Sequence, residues 1–402
     1  MTGVQTCALP ILGGDTLFEI GSLTKVFTSL LLADMVQRNE VALDGPAARY
    51  LPEHVRMPER DGKAITLLHL STHPSGLPRL PGNLSPKDPA NPYAGYSADD
   101  LYEFLSTCTL PRDPGAEVEY SNLGAGLLGH ILALRAGTDY ETLVRTRIAE
   151  PLGLTDTVIT LSPAQQQRMA SGHNLRLEPT PLWDLSVLAG AGALRSTVND
   201  LLTLLEAFLG NRETPLAAAM QAMLAARRPV GKTPFEVSLG WNLVSDCIWH
   251  DGGTGGFCAF MGYDRVQRTG IVALANAFAL RSVDELGMQF LSPKFQPSAP
   301  PAPTPEPGLQ LDPAILDRYI GRYQLAADRV FEIMRDGDRL FAQASAQSVP
   351  GPKFELAAET ETQFRVNITK SQISFETGPD GQATHMVMQR AGGQPTRAPR
   401  LP

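Results

Sequence analysis

Ser22 and Lys25 stand three residues apart at the mouth of an apolar run, FEIGSLTKVF over 18–27. A serine hydroxyl is a weak nucleophile; it needs a base within hydrogen-bond reach and donors to hold an oxyanion. Residues i and i+3 share a helix face, so Lys25 can touch Ser22 if the serine lies in the first turn. A first-turn position also aims free N–H groups and the positive end of the helix dipole at the reacting centre. Gly21, just before it, lets a substrate approach the backbone. A lysine acts as a base only when neutral, so burial or a nearby positive charge must lower its pKa. Such a pair arises by chance about once per few hundred residues. Alone it reads as an N-cap beside a solvated lysine.

Two further clusters change that reading. Tyr120-Ser121-Asn122 lies where a loop turns into the apolar run LGAGLLGHILAL. His250-Asp251-Gly252 ends a strand-like run and is followed by Gly253-Thr254-Gly255-Gly256-Phe257. Each is bland in isolation: Tyr120 a packed aromatic, His250 a surface strand residue. Asp251 reads as solvent-exposed and without a catalytic role. His69 and His73 read as packing and loop residues, and His130 as a satisfied histidine on an apolar helix face.

The elements that must position these groups follow from periodicity. Ser22 to Gln37 reads as an amphipathic helix, with Val26, Phe27, Leu30, Leu31, Met35 and Val36 at helical spacing. Ile65 to Leu70 begins a short helix stopped by HPSGLP. Residues 81–97, rich in Pro, Asn and Gly, read as a long surface loop of the kind that borders a site. Ser196 to Leu209 reads as a helix opened by a Thr197/Asp200 capping box. Strands are expected at Val237–Val244, Asp246–His250, Cys258–Tyr263 and Gly270–Asn276. PSAPPAPTPEP (297–307) reads as a semi-rigid linker within 295–309. Beyond it, 310–395 alternates in short strands around RDGD and GPDG, the pattern of a small barrel or curled sheet.

The chain has 402 residues, about right for two or three domains. Its 43% hydrophobic and 19% charged residues fit a globular protein. A net charge of −8 without a basic stripe argues against nucleic acid as a partner. No apolar run reaches the ~18 residues of a membrane span. Cys7, Cys108, Cys247 and Cys258 are scattered without a CxxC pair, and the seven histidines form no HExxH, so neither metal nor cofactor is assigned. MTGVQTCALPI, back-translated from a GTG start, fits a sequencing-library adapter. Residues 1–11 are therefore expected to be an artefact, with any signal peptide lying upstream of this chain.

The order SxxK, YxN, HxG resembles the penicillin-recognising serine hydrolases: class C β-lactamases, D-alanyl-D-alanine carboxypeptidases, D-aminopeptidases and SxxK esterases. LLHLSTHPSGLP, PGAEVEYSNLGAGLLGHIL, PLGLTDT, GAGALRSTVNDLL and WHDGGTGGF also look like blocks of that family, over about 17–280. The resemblance implies an α+β fold for 12–294: an antiparallel sheet with helices on its faces, beside an all-helical subdomain. It also implies a missing N-terminal helix and first two strands, leaving an open sheet edge and exposed apolar surface. The C-terminal segment is similar to a small β-barrel appendage of some relatives. By the same resemblance, Ser22 is the acylated nucleophile and Lys25 shares its proton. Tyr120 is base or proton shuttle, its phenol lowered by the charge of Lys25. Asn122 positions the substrate amide and Lys25. His250 and Gly252 line the strand that pairs with substrate, and the N–H groups of Ser22 and Gly253 form the oxyanion hole.

The third motif departs from the Lys-Thr-Gly common in β-lactamases. His250 is mostly neutral at pH 7 and Asp251 weakens any positive field, so recognition of a β-lactam carboxylate should be poor. Hydrolysis of an ester or D-amino-acid peptide, as a carboxylesterase or carboxypeptidase, is therefore favoured. β-Lactam hydrolysis is the alternative, and an inactive peptidoglycan- or partner-binding protein the reading from another class. Relatives imply a periplasmic or extracytoplasmic site of action.

Overall fold

Leu23, Val26, Phe27, Leu30 and Leu31 have no exposed surface, and each such side chain contributes roughly 1.5–3 kcal/mol on burial. They lie on or just before helix α1 (Thr24–Gln37), which follows a single 3₁₀ turn over Gly21–Leu23 in this computed structural model. The structure describes residues 12–278, 283–292, 309–326, 329–346, 349–366, 371–389 and 395–401. The segments 1–11 and 295–308 lie outside the described residues. The helix is not the amphipathic one that its spacing suggests. Thr24 to Met35 are all buried, so its polar side is internal as well. Those polar groups are paired. Thr28 Oγ1 donates to the carbonyl of Gly190 and meets the Tyr140 hydroxyl, Ser29 meets Ser71, and Asp34 accepts from Arg38 and Arg147. A buried polar group without a partner would cost roughly 1–3 kcal/mol, so this face is fixed in one arrangement.

Around α1 pack α2 (Leu67–Thr72) and α3 (Asn122–Ala136). The start of α2 is set by Thr66, whose Oγ1 accepts from the His69 N–H while the His69 ring accepts from the Thr66 N–H. His69 thus belongs to a cap. His130 on α3 is half-buried and bonded to the Tyr102 hydroxyl at 2.7 Å. Helix α4 (Val198–Phe208) is capped by Thr197, which accepts from the Asp200 N–H. The expected reciprocal bond is replaced. The Asp200 carboxylate instead accepts from the Asp156 N–H and the Thr157 hydroxyl, tying α4 to a neighbouring loop.

A two-stranded ladder joins β1 (Phe18–Glu19) to β2 (Arg195–Ser196). The main sheet has six antiparallel strands: β3 (Arg228–Pro229), β4 (Glu236–Ser238), β5 (Trp241–Val244), β6 (Cys247–Gly253), β7 (Cys258–Asp264) and β8 (Thr269–Ala275). The expected single strand 237–244 is two strands around a turn at Leu239–Gly240. Side chains alternate across a strand, which places the flanking helices. Gly262 and Phe260 share one face of β7, against Leu291 and Gly287 of α5 (Val283–Leu291). Tyr263 and its partner Gly270 lie on the other face, against Phe208 and Leu205 of α4. Helices therefore cover both faces. At the outer edge β8 pairs only with β7 among the described residues, and Leu286 and Phe290 of α5 are 56% and 75% exposed.

The chain divides into two compact units, the second formed by residues 298–402 with 85–89. In the second unit eight antiparallel strands, β9 to β16, run as a meander from Gly321–Ala326 to Thr396–Pro399. The first and last strands meet through Tyr323 and Arg400, closing the sheet into a barrel. Its interior holds Tyr319, Tyr323, Phe331, Ile333, Phe364, Phe375 and Met386. Strand β16 lies wholly past residue 395, the expected end of the domain, and supplies Ala398, fully buried, to that interior.

Candidate active site

The 3₁₀ turn before α1 is what presents Ser22. Gly21 takes a φ of +49°, and a Cβ there would lie 2.7 Å from the backbone nitrogen of Gly253. Both facts require glycine. Gly252 is equally constrained, because a Cβ on it would lie 2.1 Å from the Ile20 carbonyl and 3.0 Å from the Ser22 nitrogen. Strand β6 therefore lies directly against the serine turn. Strand β5 pairs with β6 only as far as Trp249, so the β5 side of His250 to Gly253 has no strand partner among the described residues.

Two side chains converge on the Ser22 Oγ. Lys25 Nζ lies 2.9 Å away and the Tyr120 hydroxyl 2.7 Å away. Lys25 Nζ also donates to the Ala191 carbonyl at 2.6 Å and sits 4.8 Å from the centre of the Tyr120 ring. Lys25 is 2% exposed, and burial, reinforced by the charge of Arg79, pushes its pKa well below the ordinary lysine value. Desolvation favours the neutral amine, the form that can take a proton.

Tyr120 behaves in the opposite sense to the expectation that positive charge lowers its pKa. Burial raises the phenol above its usual range, outweighing the bond to Ser22 and the charge of Arg79. The Arg79 charge beside the ring and the bond to Ser22 favour a phenolate, but burial outweighs both. The geometry thus holds an amine able to accept a proton and a phenol able to donate one, on the same oxygen.

The other predicted residues are placed as follows. His250 is 4% exposed, not a surface strand residue; its Nδ1 lies 2.6 Å from the Asp251 carbonyl oxygen. Burial lowers its pKa, so the imidazole is neutral at pH 7. Asp251 is half-buried rather than solvent-exposed, and its charge opposes the lowering at both His250 and Lys25. Asn122 opens α3, and its Nδ2 donates to the Tyr93 hydroxyl at 3.3 Å. It does not hold Lys25 as expected; that bond goes to the Ala191 carbonyl. The Asn122 Oδ1 is buried without a hydrogen-bond partner.

Sequence reasoning missed two neighbours. His73, read as a loop residue, stacks at 4.6 Å on Tyr120 and accepts from the Ser121 N–H at 3.3 Å. Burial and the charges around it lower its pKa to about 3. Its φ of +70° ends α2, which turns the chain back under the phenol. Arg79 follows the HPSGLP turn; its guanidinium lies 5.0 Å from the centre of the Tyr120 ring. Its carbonyl accepts from the Asn122 and Leu123 N–H groups, which ties the Arg79 loop to the start of α3. A cation one residue past a read motif was the available signal. Among the described residues no group of three or more His, Cys, Asp or Glu side chains is arranged to hold a metal ion.

The model of the Beta-lactamase family matches residues 11–288, and that of a domain of unknown function (DUF3471) matches 306–398. The D-alanyl-D-alanine-carboxypeptidase/endopeptidase AmpH of Escherichia coli is 30% identical over 265 residues, covering 61% of this chain and 67% of the relative. A beta-lactamase/D-alanine carboxypeptidase from Yersinia pestis, solved with citrate, superposes with a TM-score of 0.59 at 26% identity, over 68% of this chain and 82% of that one. An octameric penicillin-binding protein homologue from Pyrococcus abyssi matches the fold with a TM-score of 0.62 at 21% identity, over 96% and 88% of the two chains.

Proposed function

The chain belongs to the Beta-lactamase family, and from that premise we propose that it is a serine hydrolase working through an acyl-enzyme on Ser22. The observation that carries the reading is the convergence of Lys25 Nζ and the Tyr120 hydroxyl on one serine oxygen. As the Ser22 Oγ attacks an acyl carbon, its proton passes to neutral Lys25. The oxygen that gains charge is held by the N–H groups of Ser22 and Gly253. Tyr120 donates its proton to the leaving oxygen or nitrogen, and the Lys25 ammonium restores that proton. Water then cleaves the acyl-Ser22 ester by the reverse traffic. Asn122, His250 and Gly252 line the acyl donor.

The substrates proposed are esters and D-amino-acid peptides. A buried, neutral His250 at the third motif offers no fixed cation, which disfavours a β-lactam as the main substrate. Carboxylesterase, D-aminopeptidase and carboxypeptidase activities all fall within this reading, as does action outside the cytoplasm. No helix of the described residues is long and apolar enough to cross a membrane. The proposed domain division is a hydrolase over 12–294, a linker over 295–309 and a small barrel from 310. Steady-state hydrolysis of a short-chain p-nitrophenyl ester and of a penicillin tests the ranking. Faster ester turnover, lost in Ser22→Ala, is expected; faster penicillin turnover would reverse it.

A further inference from the structure

The proposed mechanism leaves one buried ion pair beside the serine turn unused. Glu19, the last residue of β1, lies three residues before Ser22 and is 4% exposed. Across the ladder it stands opposite Arg195 of β2, which is also buried. Arg195 Nη2 donates to Glu19 Oε1 at 3.3 Å and to the Trp183 carbonyl at 3.0 Å, and Nη1 donates to the Ile159 carbonyl. The Trp183 N–H donates to the same Glu19 oxygen at 2.7 Å. The carboxylate is therefore held from two sides through Oε1.

Its other oxygen, Oε2, is buried and closes no hydrogen bond among the described residues. The same holds for Oγ1 of Thr254, the residue after Gly253, which is 3% exposed. Yet the two groups act on each other. Burial raises the Glu19 carboxyl above its usual range, and the Thr254 hydroxyl is the strongest influence against that rise, ahead of the Arg195 charge. A hydroxyl that can donate thus faces a carboxylate oxygen that can only accept, both shut away from water. Each end of this contact adjoins the reacting centre. A Cβ on Gly21 would lie 2.7 Å from the Gly253 nitrogen, so the residue before Thr254 is pressed on the residue before Ser22. The turn beyond Thr254 packs on the same arm, since a Cβ on Gly255 would lie 2.9 Å from Trp183 Nε1.

Resting on the serine hydrolase reading above, we infer that Glu19 and Thr254 are positioning residues for the oxyanion donors. The carboxylate, held by Arg195 and Trp183, holds the Thr254 hydroxyl and with it the Gly253 N–H against the serine turn. Neither side chain touches substrate, and no bond changes at either. They matter because an oxyanion donor works only at hydrogen-bond distance from the charge that develops, so a small displacement of Gly253 slows acyl transfer.

The test compares 4-nitrophenyl acetate with its thionoester, in which sulfur replaces the carbonyl oxygen. Both release the same leaving group. Sulfur is a weak acceptor, so the ratio of kcat/KM, ester over thionoester, reports the oxyanion donors, whereas general damage to the fold lowers both rates together. Removing such a donor costs about 10²–10³-fold; a donor displaced but not removed should cost less. The ratio should therefore fall about 10-fold in Thr254→Val and return in Thr254→Ser, which keeps the hydroxyl. Removing Glu19 alone would leave Arg195 buried and unpaired, so the two are replaced together as Glu19→Leu/Arg195→Met. That variant should show a similar fall, and adding Thr254→Val to it should change the ratio less than about twofold, because all three act through one contact. A ratio unchanged in Thr254→Val, whatever its melting temperature, or falls that multiply in the triple variant, would overturn the inference. Ser22→Ala separates the two claims. Activity persisting there removes the hydrolase reading; an inactive Ser22→Ala beside a ratio independent of Thr254 removes only this inference.

Discussion

The two units of this chain bury tyrosines to different ends. In the barrel, the Tyr323 hydroxyl donates to the Tyr319 carbonyl at 2.7 Å and the Tyr319 hydroxyl to the Glu361 carbonyl at 2.9 Å. Each phenol is spent on backbone, and the rest of that interior is apolar. Beside α1, the Tyr120 hydroxyl is aimed instead at another side chain, and the side chains it faces are a lysine, a serine and two histidines. A core that only has to be stable closes its polar atoms on the backbone. A core that turns polar side chains toward one another shifts their pKa values and leaves acceptors such as Asn122 Oδ1 without a partner. The comparison supports placing the proposed chemistry in the first unit.

The largest expected effect breaks the chemistry alone. Ser22→Ala should lower kcat/KM for ester hydrolysis by at least about 10⁴-fold with unfolding unchanged, because Ser22 is only half-buried. The sharpest use of the comparison pairs two identical substitutions. Tyr120→Phe should cost about 10²–10³-fold in kcat/KM, the range for removing a positioned proton donor. Tyr323→Phe should leave turnover intact and cost about 1 kcal/mol of barrel stability, read as a lower melting temperature. Equal losses of activity in both would erase the distinction.

Two pH experiments address the groups held neutral. Lys25 has a folded pKa below its unfolded value, so between the two the unfolded state binds more protons. Stability must then rise with pH in that window. Wild type should gain stability relative to an inactive Lys25→Met as pH goes from neutrality towards about 9, short of phenol ionisation. Parallel stability curves would contradict a buried neutral amine. His73, with a pKa of about 3, likewise stays neutral in the fold while the unfolded chain protonates near its ordinary value. Wild type should therefore lose stability faster than His73→Asn as pH falls from about 6.5 towards 3, asparagine being chosen because it tolerates positive φ.

The motifs were legible because their chemistry needs fixed residue types: Ser22, Lys25, Tyr120, Asn122, His250 and the two glycines of the β6 contact were all named from the sequence. The α+β class followed from the family resemblance those motifs carry, and the small barrel from the alternation beyond residue 310. What stayed hidden depends on tertiary partners. The buried polar side of α1 looks solvent-facing until Gly190, Ser71 and Arg147 are brought to it. The lysine's second acceptor is a backbone carbonyl at Ala191, which carries no sequence signal. Barrel closure through Tyr323 and Arg400 joins residues too far apart in the chain for alternation to report. Arg79 stands one residue past HPSGLP, but a lone arginine after a turn is ordinary until its ring partner is known.

The central claim, that Ser22 is the nucleophile, is tested most directly by intact mass and peptide mapping after exposure to a serine-directed fluorophosphonate probe. The account predicts one adduct per chain, mapped to the peptide containing Ser22 and absent from Ser22→Ala. An adduct that persists in that variant, or none on folded wild type, would contradict it.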